Sequence, residues 1–266
     1  MYAFFHGILS DKKGGIVFSC FGIWHLCYIF VVIVIAVLTF FCLQKKDNGV
    51  KKETIRAFIN VSFGLYIADF FLMPLAFGEI DIEKLPFHVC TAMCVMCFLS
   101  NRTRALEKYQ MHFALLGFVS NLIYLLYPAG VMWCQVHPLS YRVIQTLLFH
   151  GFMTLYGLFA LMFGDQKLEW KTCYRDLGVI VSMALWALIG NTIYNGQAGN
   201  YSHNFNWFFV TQDPFYLLPR TVAPYVMPFL NITAFFAVEL LVYAIYFGVK
   251  KLSIRRHQIK RELKVQ

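Results

Sequence analysis

Cysteine and histidine are the residue types in this chain with the widest choice of chemistry, and they occur together where a proline introduces an apolar run. Residues 85–90 read LPFHVC, which sets His88 and Cys90 directly behind Pro86. A second histidine, His150, lies in the apolar run LLFHGF. A buried cysteine is often a small apolar filler, whereas an ionisable ring within a membrane helix needs a polar partner. Judged alone, His150 is therefore the stronger candidate for function, and His88 is explained more simply by contact with lipid headgroups.

Two metal sites can be drawn from these residues, and neither is favoured. Cys90, Cys94 and Cys97 have the spacing of iron–sulfur ligands and would share one helix face. They run down the apolar segment CTAMCVMC rather than along a loop, so packing explains them better. A zinc site built from His88, Cys90 and His150 would lack an evident fourth ligand. We predict no metal and no cofactor.

The composition identifies the elements that carry these residues as membrane helices. Of the 266 residues, 59% are hydrophobic and only 14% are charged, against roughly 25% charged in an ordinary soluble domain. Apolar stretches of about 20 residues, each able to cross ~30 Å of hydrocarbon as a helix, recur along the chain. We predict an all-α membrane protein with seven transmembrane helices in a single domain. The spans are expected at about 20–43, 56–78, 86–100, 109–127, 143–164, 174–194 and 221–249, before a basic tail at 250–266.

The positive charges indicate an orientation rather than a nucleic-acid site. The net charge is +9, and 18 of the 23 Lys and Arg residues fall on one side of the predicted spans. The positive-inside rule then places the N-terminus outside and the C-terminus in the cytoplasm. The basic tail at 250–266 fits a topology signal that contacts anionic lipid. The first helix is expected to be retained, because Lys12 and Lys13 precede an apolar stretch too long for a signal core.

Depth estimates bring several polar side chains to one layer near the outer surface. At 1.5 Å per residue, Cys90 lies roughly 6 Å and His150 roughly 10 Å below the outer ends of their spans. The other members of this layer are Asp69, Asn121, Asn191 and Tyr194. Because unpaired polar groups are unfavourable in lipid, a polar pocket open to the outer leaflet is the economical interpretation. Asp69 could instead cap or bond a neighbouring helix, and the two asparagines could serve as interhelical hydrogen-bonding residues.

An ordered set of motifs resembles the YwaF/transmembrane protein 164 family. The set comprises LPFHVC at 85–90, NRTR at 101–104, FHG in LLFHGF, the span-closing Asn191 and GNY at 199–201. The similarity covers about residues 55–245, and the first helix and the basic tail carry no recognisable motif. The chain departs from the family pattern in the acidic loop before Leu85 and in a long aromatic loop at 195–219.

The resemblance implies a seven-helix integral membrane protein and, for the eukaryotic members, an acyltransferase that moves fatty acyl chains between phospholipids. The essential cysteine and histidine of that family fall by motif on Cys90 and His150. The expected mechanism is attack by the Cys90 thiolate on a lipid ester, with His150 as the general base and a thioester as the intermediate. The start of the third helix at Pro86 would favour the thiolate and bind the carbonyl oxyanion.

Loop 195–219 is rich in Phe, Tyr and Trp, a composition typical of an interfacial lid and equally of an ordinary aromatic belt. Within or beside it, Arg220 or His203 is expected to contact lipid phosphate. Asn200 and Tyr201, from the GNY motif, are expected to support the substrate site.

Two other functions remain open from the sequence. The first is a non-enzymatic solute binder or transporter with a polar site in the outer half of the bundle. It is disfavoured because Asp69 is the one secure mid-membrane acid and no inverted repeat is evident. The second is a lipid hydrolase that uses the same Cys/His pair with water as acceptor. The expected partners are a phospholipid or lysophospholipid and the bilayer, without nucleic acid, and the expected location is a bacterial plasma membrane.

Overall fold

The computed structural model describes residues 4–5, 15–77, 82–132, 135–195, 205–214 and 217–265. Within these ranges every regular element is helical, as expected. The longer helices are α1 (Ile23–Leu43), α2 (Asn48–Phe77), α3 (Val89–Ser100), α4 (Gln110–Leu126), α5 (Tyr141–Phe163), α6 (Cys173–Asn195) and α7 (Ala223–Val265). Short helical turns lie between them at Ile82–Lys84, Arg104–Glu107, Ala129–Met132, Trp170–Thr172 and Trp207–Phe209.

Six helices in the described part of the chain are long and apolar enough to cross a membrane, which makes this an integral membrane protein. Helix α3 is the exception, since its 12 residues reach only about 18 Å. A helix was expected from Pro86, but the Phe87 amide bonds the Leu85 carbonyl in a tight turn and α3 begins at Val89. The predicted seventh span is therefore not confirmed, and the orientation of the termini stays a prediction.

Two helices extend beyond their predicted spans into charged sequence. Helix α2 begins at Asn48 rather than near residue 56, and α7 continues to Val265 through the predicted basic tail. At the start of α2 the Val50 amide donates to Asp47 Oδ1 at 3.0 Å, as in an N-cap. This bond holds the pKa of Asp47 below its usual value. Lys and Glu are good helix formers, so hydropathy alone underestimates the length of a helix whose end is charged.

Helix α5 is the centre of the bundle. It is the most buried of the candidate spans, and it packs against α1, α2 and α4. A close approach between α4 and α5 is possible because Gly157 has no side chain, since a Cβ there would lie 2.5 Å from Phe118 Cβ and 2.9 Å from the Ala114 oxygen. Helix α3 lies between α2 and α4, and α7 packs against α6 and α4. Helices α1 and α7 are the least buried spans, as expected of helices that face lipid.

The alternating helices give the bundle two ends. Helices α3, α5 and α7 begin at the end that we call the thiol end, because Cys90 lies there. Helices α4 and α6 begin at the opposite end, called here the acid end because it holds Asp176. The late α6 residue Trp186 confirms the arrangement, since its Nε1 donates to the Pro86 oxygen at 2.7 Å just before α3.

Candidate active site

The start of α3 presents Cys90 in the first helical turn. His88 is the N-cap residue with extended backbone, φ −73° and ψ 142°, so Cys90 is the second residue of the helix. Among the described residues no side chain caps the first-turn N–H groups, because the His88 ring contacts Phe209 instead, with 6.1 Å between ring centroids. Those N–H groups favour negative charge at this point. Cys90 is partly buried, and its thiol lies near the Ser120 side chain of α4.

The His150 ring lies buried in α5, and a hydrogen bond and a stacked ring fix its orientation. Its Nδ1 is 2.7 Å from the Thr146 carbonyl oxygen one turn earlier, and its face stacks on the Tyr124 ring at 3.8 Å. Phe149 packs edge-on against the same ring at 4.9 Å. Because a carbonyl oxygen only accepts hydrogen bonds, Nδ1 must carry the proton. Nε2 is then the nitrogen that can act as a base.

One face of α4 connects the two residues. Ser120, the partner of Cys90, and Tyr124, the partner of His150, are four residues apart and so about 6 Å apart along that face. One turn earlier, a Cβ at Gly117 would lie 3.5 Å from Met93 of α3 and 3.4 Å from Met153 of α5. Helices α3 and α5 therefore converge on the same face of α4. Within the described residues Cys90 and His150 share no hydrogen bond with each other.

The predicted site residue Asp69 lies at the same end in an ion pair. Its Oδ2 is 2.8 Å from Lys84 Nζ, and its Oδ1 accepts a hydrogen bond from the Tyr141 hydroxyl at 3.0 Å. Lys84 keeps about a fifth of its side chain exposed and is within electrostatic range of both His88 and His150. Sequence reasoning did not select Lys84, although it directly precedes LPFHVC.

Asn121 lies beside Ser120 and has an unused oxygen. Its amide nitrogen donates to the Gly117 oxygen at 2.7 Å and to Ser120 Oγ at 3.4 Å, both within α4. Its Oδ1 is buried with no hydrogen-bond partner among the described residues. An unpartnered acceptor next to the Cys90 contact is available to a bound molecule.

Asn191 and Tyr194 hold the described part of the aromatic loop, residues 205–214. Asn191 forms two hydrogen bonds with the Trp207 backbone, at 3.2 and 3.0 Å, and the Tyr194 ring packs against that indole at 5.6 Å. An interfacial lid on the bilayer surface was expected here. In the structure Trp207 and Phe208 are each only 1% exposed and insert into the bundle. Phe208 and Phe209 have φ values of 56° and 51°, left-handed backbone that is strained for such side chains.

Of the other predicted substrate contacts, Arg220 is the one that falls among the described residues. It is exposed and directly follows the aromatic loop. Asn200, Tyr201 and His203 lie outside the described residues.

The NRTR motif closes α3 at its other end. Asn101 donates to the Tyr156 hydroxyl of α5 at 2.9 Å, and Arg102 donates to Asn60 of α2 at 2.6 Å. The Arg102 guanidinium also lies 3.6 Å from the centre of the Phe98 ring. The motif therefore ties the short α3 to its neighbours.

The cysteines that follow Cys90 belong to the packing core. Cys94 and Cys97 are fully buried within the largest apolar cluster. In the described ranges no group of three His, Cys, Asp or Glu side chains could hold a metal ion.

A second polar cluster, which sequence reasoning missed, lies at the acid end. His112 Nδ1 of α4 is 2.6 Å from Asp176 Oδ1 of α6, and the Tyr243 hydroxyl of α7 donates to Asp176 Oδ2 at 2.6 Å. Glu239, one turn before Tyr243, is 1% exposed. We call these four residues the acid cluster. Its signal in the sequence was an acid inside the apolar run FFAVELLVY, with a tyrosine four residues later.

Comparison with known proteins gives one match. The model of the family described as the TMEM164 family matches residues 20–249. This range includes α1, to which the sequence motifs had not extended. No curated protein and no solved structure matches the chain.

Proposed function

The chain belongs to the TMEM164 family, and on that premise we propose that it is a membrane acyltransferase that moves a fatty acyl chain between phospholipids. Cys90 is the nucleophile and His150 the general base. The observation that carries this proposal is the shared face of α4, where Cys90 lies near Ser120 and His150 stacks on Tyr124 one turn away. The two reactive groups therefore lie along the same face of α4 at the thiol end.

In the first step His150 Nε2 takes the proton from the Cys90 thiol, and the sulfur bonds to the carbonyl carbon of a lipid ester. The ester C–O bond then breaks, and the departing alcohol oxygen takes the proton from His150. Catalytic hydrogen bonds often tighten only when substrate is bound, so the Cys90–His150 bond forms in that complex. The first-turn N–H groups of α3 stabilise the carbonyl oxyanion.

In the second step the hydroxyl of a lysophospholipid gives its proton to His150 and attacks the thioester carbon. The C–S bond breaks, and the Cys90 sulfur recovers the proton. Asn121 Oδ1, which is buried without a partner among the described residues, accepts the hydrogen bond of that hydroxyl when the lysophospholipid first binds, before the O–H group turns to His150 and gives up its proton. Trp207, which packs against Phe87 just before α3, and Phe208, which packs against Phe235 of α7, exclude competing water.

The headgroup of the lipid is bound by Lys84. Its ammonium group has three donors, and the pair with Asp69 at 2.8 Å leaves donors that can bond a phosphate oxygen. Lys84 is the described cation closest in the chain to LPFHVC, and it replaces the exposed Arg220 as the proposed phosphate contact.

The test is intact-protein mass spectrometry of the full chain in lipid nanodiscs, with product analysis of the lipids. Wild type should carry an acyl adduct that hydroxylamine removes, and Cys90→Ala should lose both the adduct and acyl transfer. The matched control is Cys94→Ala, one turn deeper on α3, which should retain both. Acyl transfer by Cys90→Ala at the wild-type rate would overturn the proposal. Free fatty acid as the main product would indicate the hydrolase instead.

One observation favours a transporter as the second candidate. The sequence offered a single secure mid-membrane acid, but Asp176 and Glu239 are both buried as well. Buried ionisable groups in membrane helices are typical of ion and proton pathways. A transporter has no need of the Cys90 thiol, so solute uptake that survives Cys90→Ala in the absence of acyl transfer would favour it.

A further inference from the structure

The acid cluster contains one carboxylate that the described residues do not balance. Each carboxylate oxygen of Asp176 has a partner, His112 for one and Tyr243 for the other, both at 2.6 Å. Glu239 is 1% exposed, and neither of its carboxylate oxygens has a hydrogen-bond partner among the described residues. A buried carboxylate without donors costs several kcal/mol, so its charge must be compensated by something bound.

Glu239 points toward the rest of the cluster. It is four residues from Tyr243 and therefore on the same face of α7, the face from which Tyr243 reaches Asp176. Its charge interacts with that of Asp176. Tyr243 itself belongs to an apolar cluster that includes Leu115 and Val119 of α4 and Leu161 of α5.

The charged groups that face Glu239 leave the cluster short of one positive charge. Helix α6 contributes Asp176, α4 contributes His112, and α7 contributes Glu239 with the neutral Tyr243. Even in its charged form, His112 would balance only one of the two carboxylates. Among the described residues no Lys or Arg forms an ion pair with either acid.

We propose that the acid cluster is a binding site for a single monovalent cation, a proton or an alkali ion, held at the Glu239 carboxylate. The site is separate from the proposed active site, because His112 and Ser120 are eight residues, about 12 Å, apart along α4. It does not depend on the acyltransferase proposal. A divalent metal site is not favoured, since the described residues do not bring three ligating side chains together.

The test uses the full chain in phosphatidylcholine nanodiscs and two measurements. Infrared spectroscopy detects the C=O band of a protonated carboxylic acid. Thermal unfolding at constant ionic strength in sodium, potassium or N-methylglucamine chloride detects an alkali ion. The variant is Glu239→Gln, which keeps the side-chain shape, and the control is Glu53→Gln, which removes an exposed carboxylate on α2.

A bound proton gives a carboxylic acid band that is present in wild type and Glu53→Gln, absent in Glu239→Gln, and accompanied by equal unfolding temperatures in the three salts. A bound alkali ion gives no such band but raises the unfolding temperature by roughly 2–4 °C in one alkali salt, an effect that Glu239→Gln loses. If wild type shows neither the band nor any difference among the salts, the proposal is overturned. Carbon-13 labelling of glutamate assigns the wild-type band even if Glu239→Gln fails to fold.

Discussion

The two ends of the bundle use a buried histidine in opposite ways. At the thiol end His150 bonds to a carbonyl of its own helix, and Asn121 of α4 keeps an oxygen unpaired among the described residues. At the acid end His112 and Tyr243 bring two helices onto Asp176 of a third. Contacts within one helix leave polar atoms for a substrate, whereas contacts between helices stabilise the bundle. We therefore assign chemistry to the thiol end and stability to the Asp176 contacts.

Exchanging the two histidines for glutamine tests this division most strongly. His150→Gln removes the proposed base and should lower acyl transfer by roughly 10²–10⁴-fold with little loss of stability. His112→Gln should lower the unfolding temperature while the transfer rate per folded molecule stays near wild type. Thermal unfolding and lipid product analysis on the same samples measure both effects. If both variants are fully folded and lose acyl transfer equally, the assignment of chemistry to the thiol end and stability to the acid end is wrong.

Asp176→Asn should have the next largest effect. It removes the charge that His112 and Tyr243 both bond, and hydrogen bonds to a charged group contribute about 1.5–3 kcal/mol each. We expect a clear drop in unfolding temperature, measured in nanodiscs. Asp165→Asn is the control, because Asp165 is exposed and its one ion pair among the described residues is with Lys52 at 3.1 Å. Equal stability of the two variants would show that the acid-end network does not hold the helices.

Alanine substitutions at two glycines compare the packing of the bundle with the packing next to the candidate site. Gly157→Ala puts a Cβ 2.5 Å from Phe118 Cβ and 2.9 Å from a backbone oxygen, so α4 and α5 must separate. Overpacking of this kind costs typically 1–3 kcal/mol. Gly117→Ala meets side chains at 3.4–3.7 Å, which can adjust. It should leave the unfolding temperature close to wild type, and a greater loss in Gly117→Ala than in Gly157→Ala would contradict this packing.

Hydropathy predicted seven spans, and six of them are long apolar helices among the described residues, because lipid selects such helices. It did not predict the length of α3, since the residues LPF could either begin a helix or form a turn. Contacts with other helices, such as that of Trp186 with Pro86, favour the turn. Cys90 was expected in the first turn and lies there, although for a helix that starts three residues later.

The partners of the polar residues could not be derived from the sequence. Depth estimates placed Cys90 and His150 in one layer, but their link through Ser120 and Tyr124 depends on which helices are neighbours. Glu239 was missed although it carries the same signal as Asp69, an acid in an apolar run. Asp176 was missed because it lies in the first turn of α6, next to the basic loop that served as a topology signal.

The smallest predicted effect concerns Lys84, which separates substrate binding from catalysis within the thiol end. Lys84→Gln removes the proposed phosphate contact and should raise the KM for phospholipid by about fivefold, roughly 1 kcal/mol, with kcat nearly unchanged. Lys167→Gln, a loop lysine near the acid end, should change neither constant. Because Lys84 also pairs with Asp69, Asp69→Asn provides the complementary measurement. It leaves the ammonium free for phosphate and should not raise KM. If both variants raise KM alike, the ion pair supports the site structurally and Lys84 does not bind the headgroup.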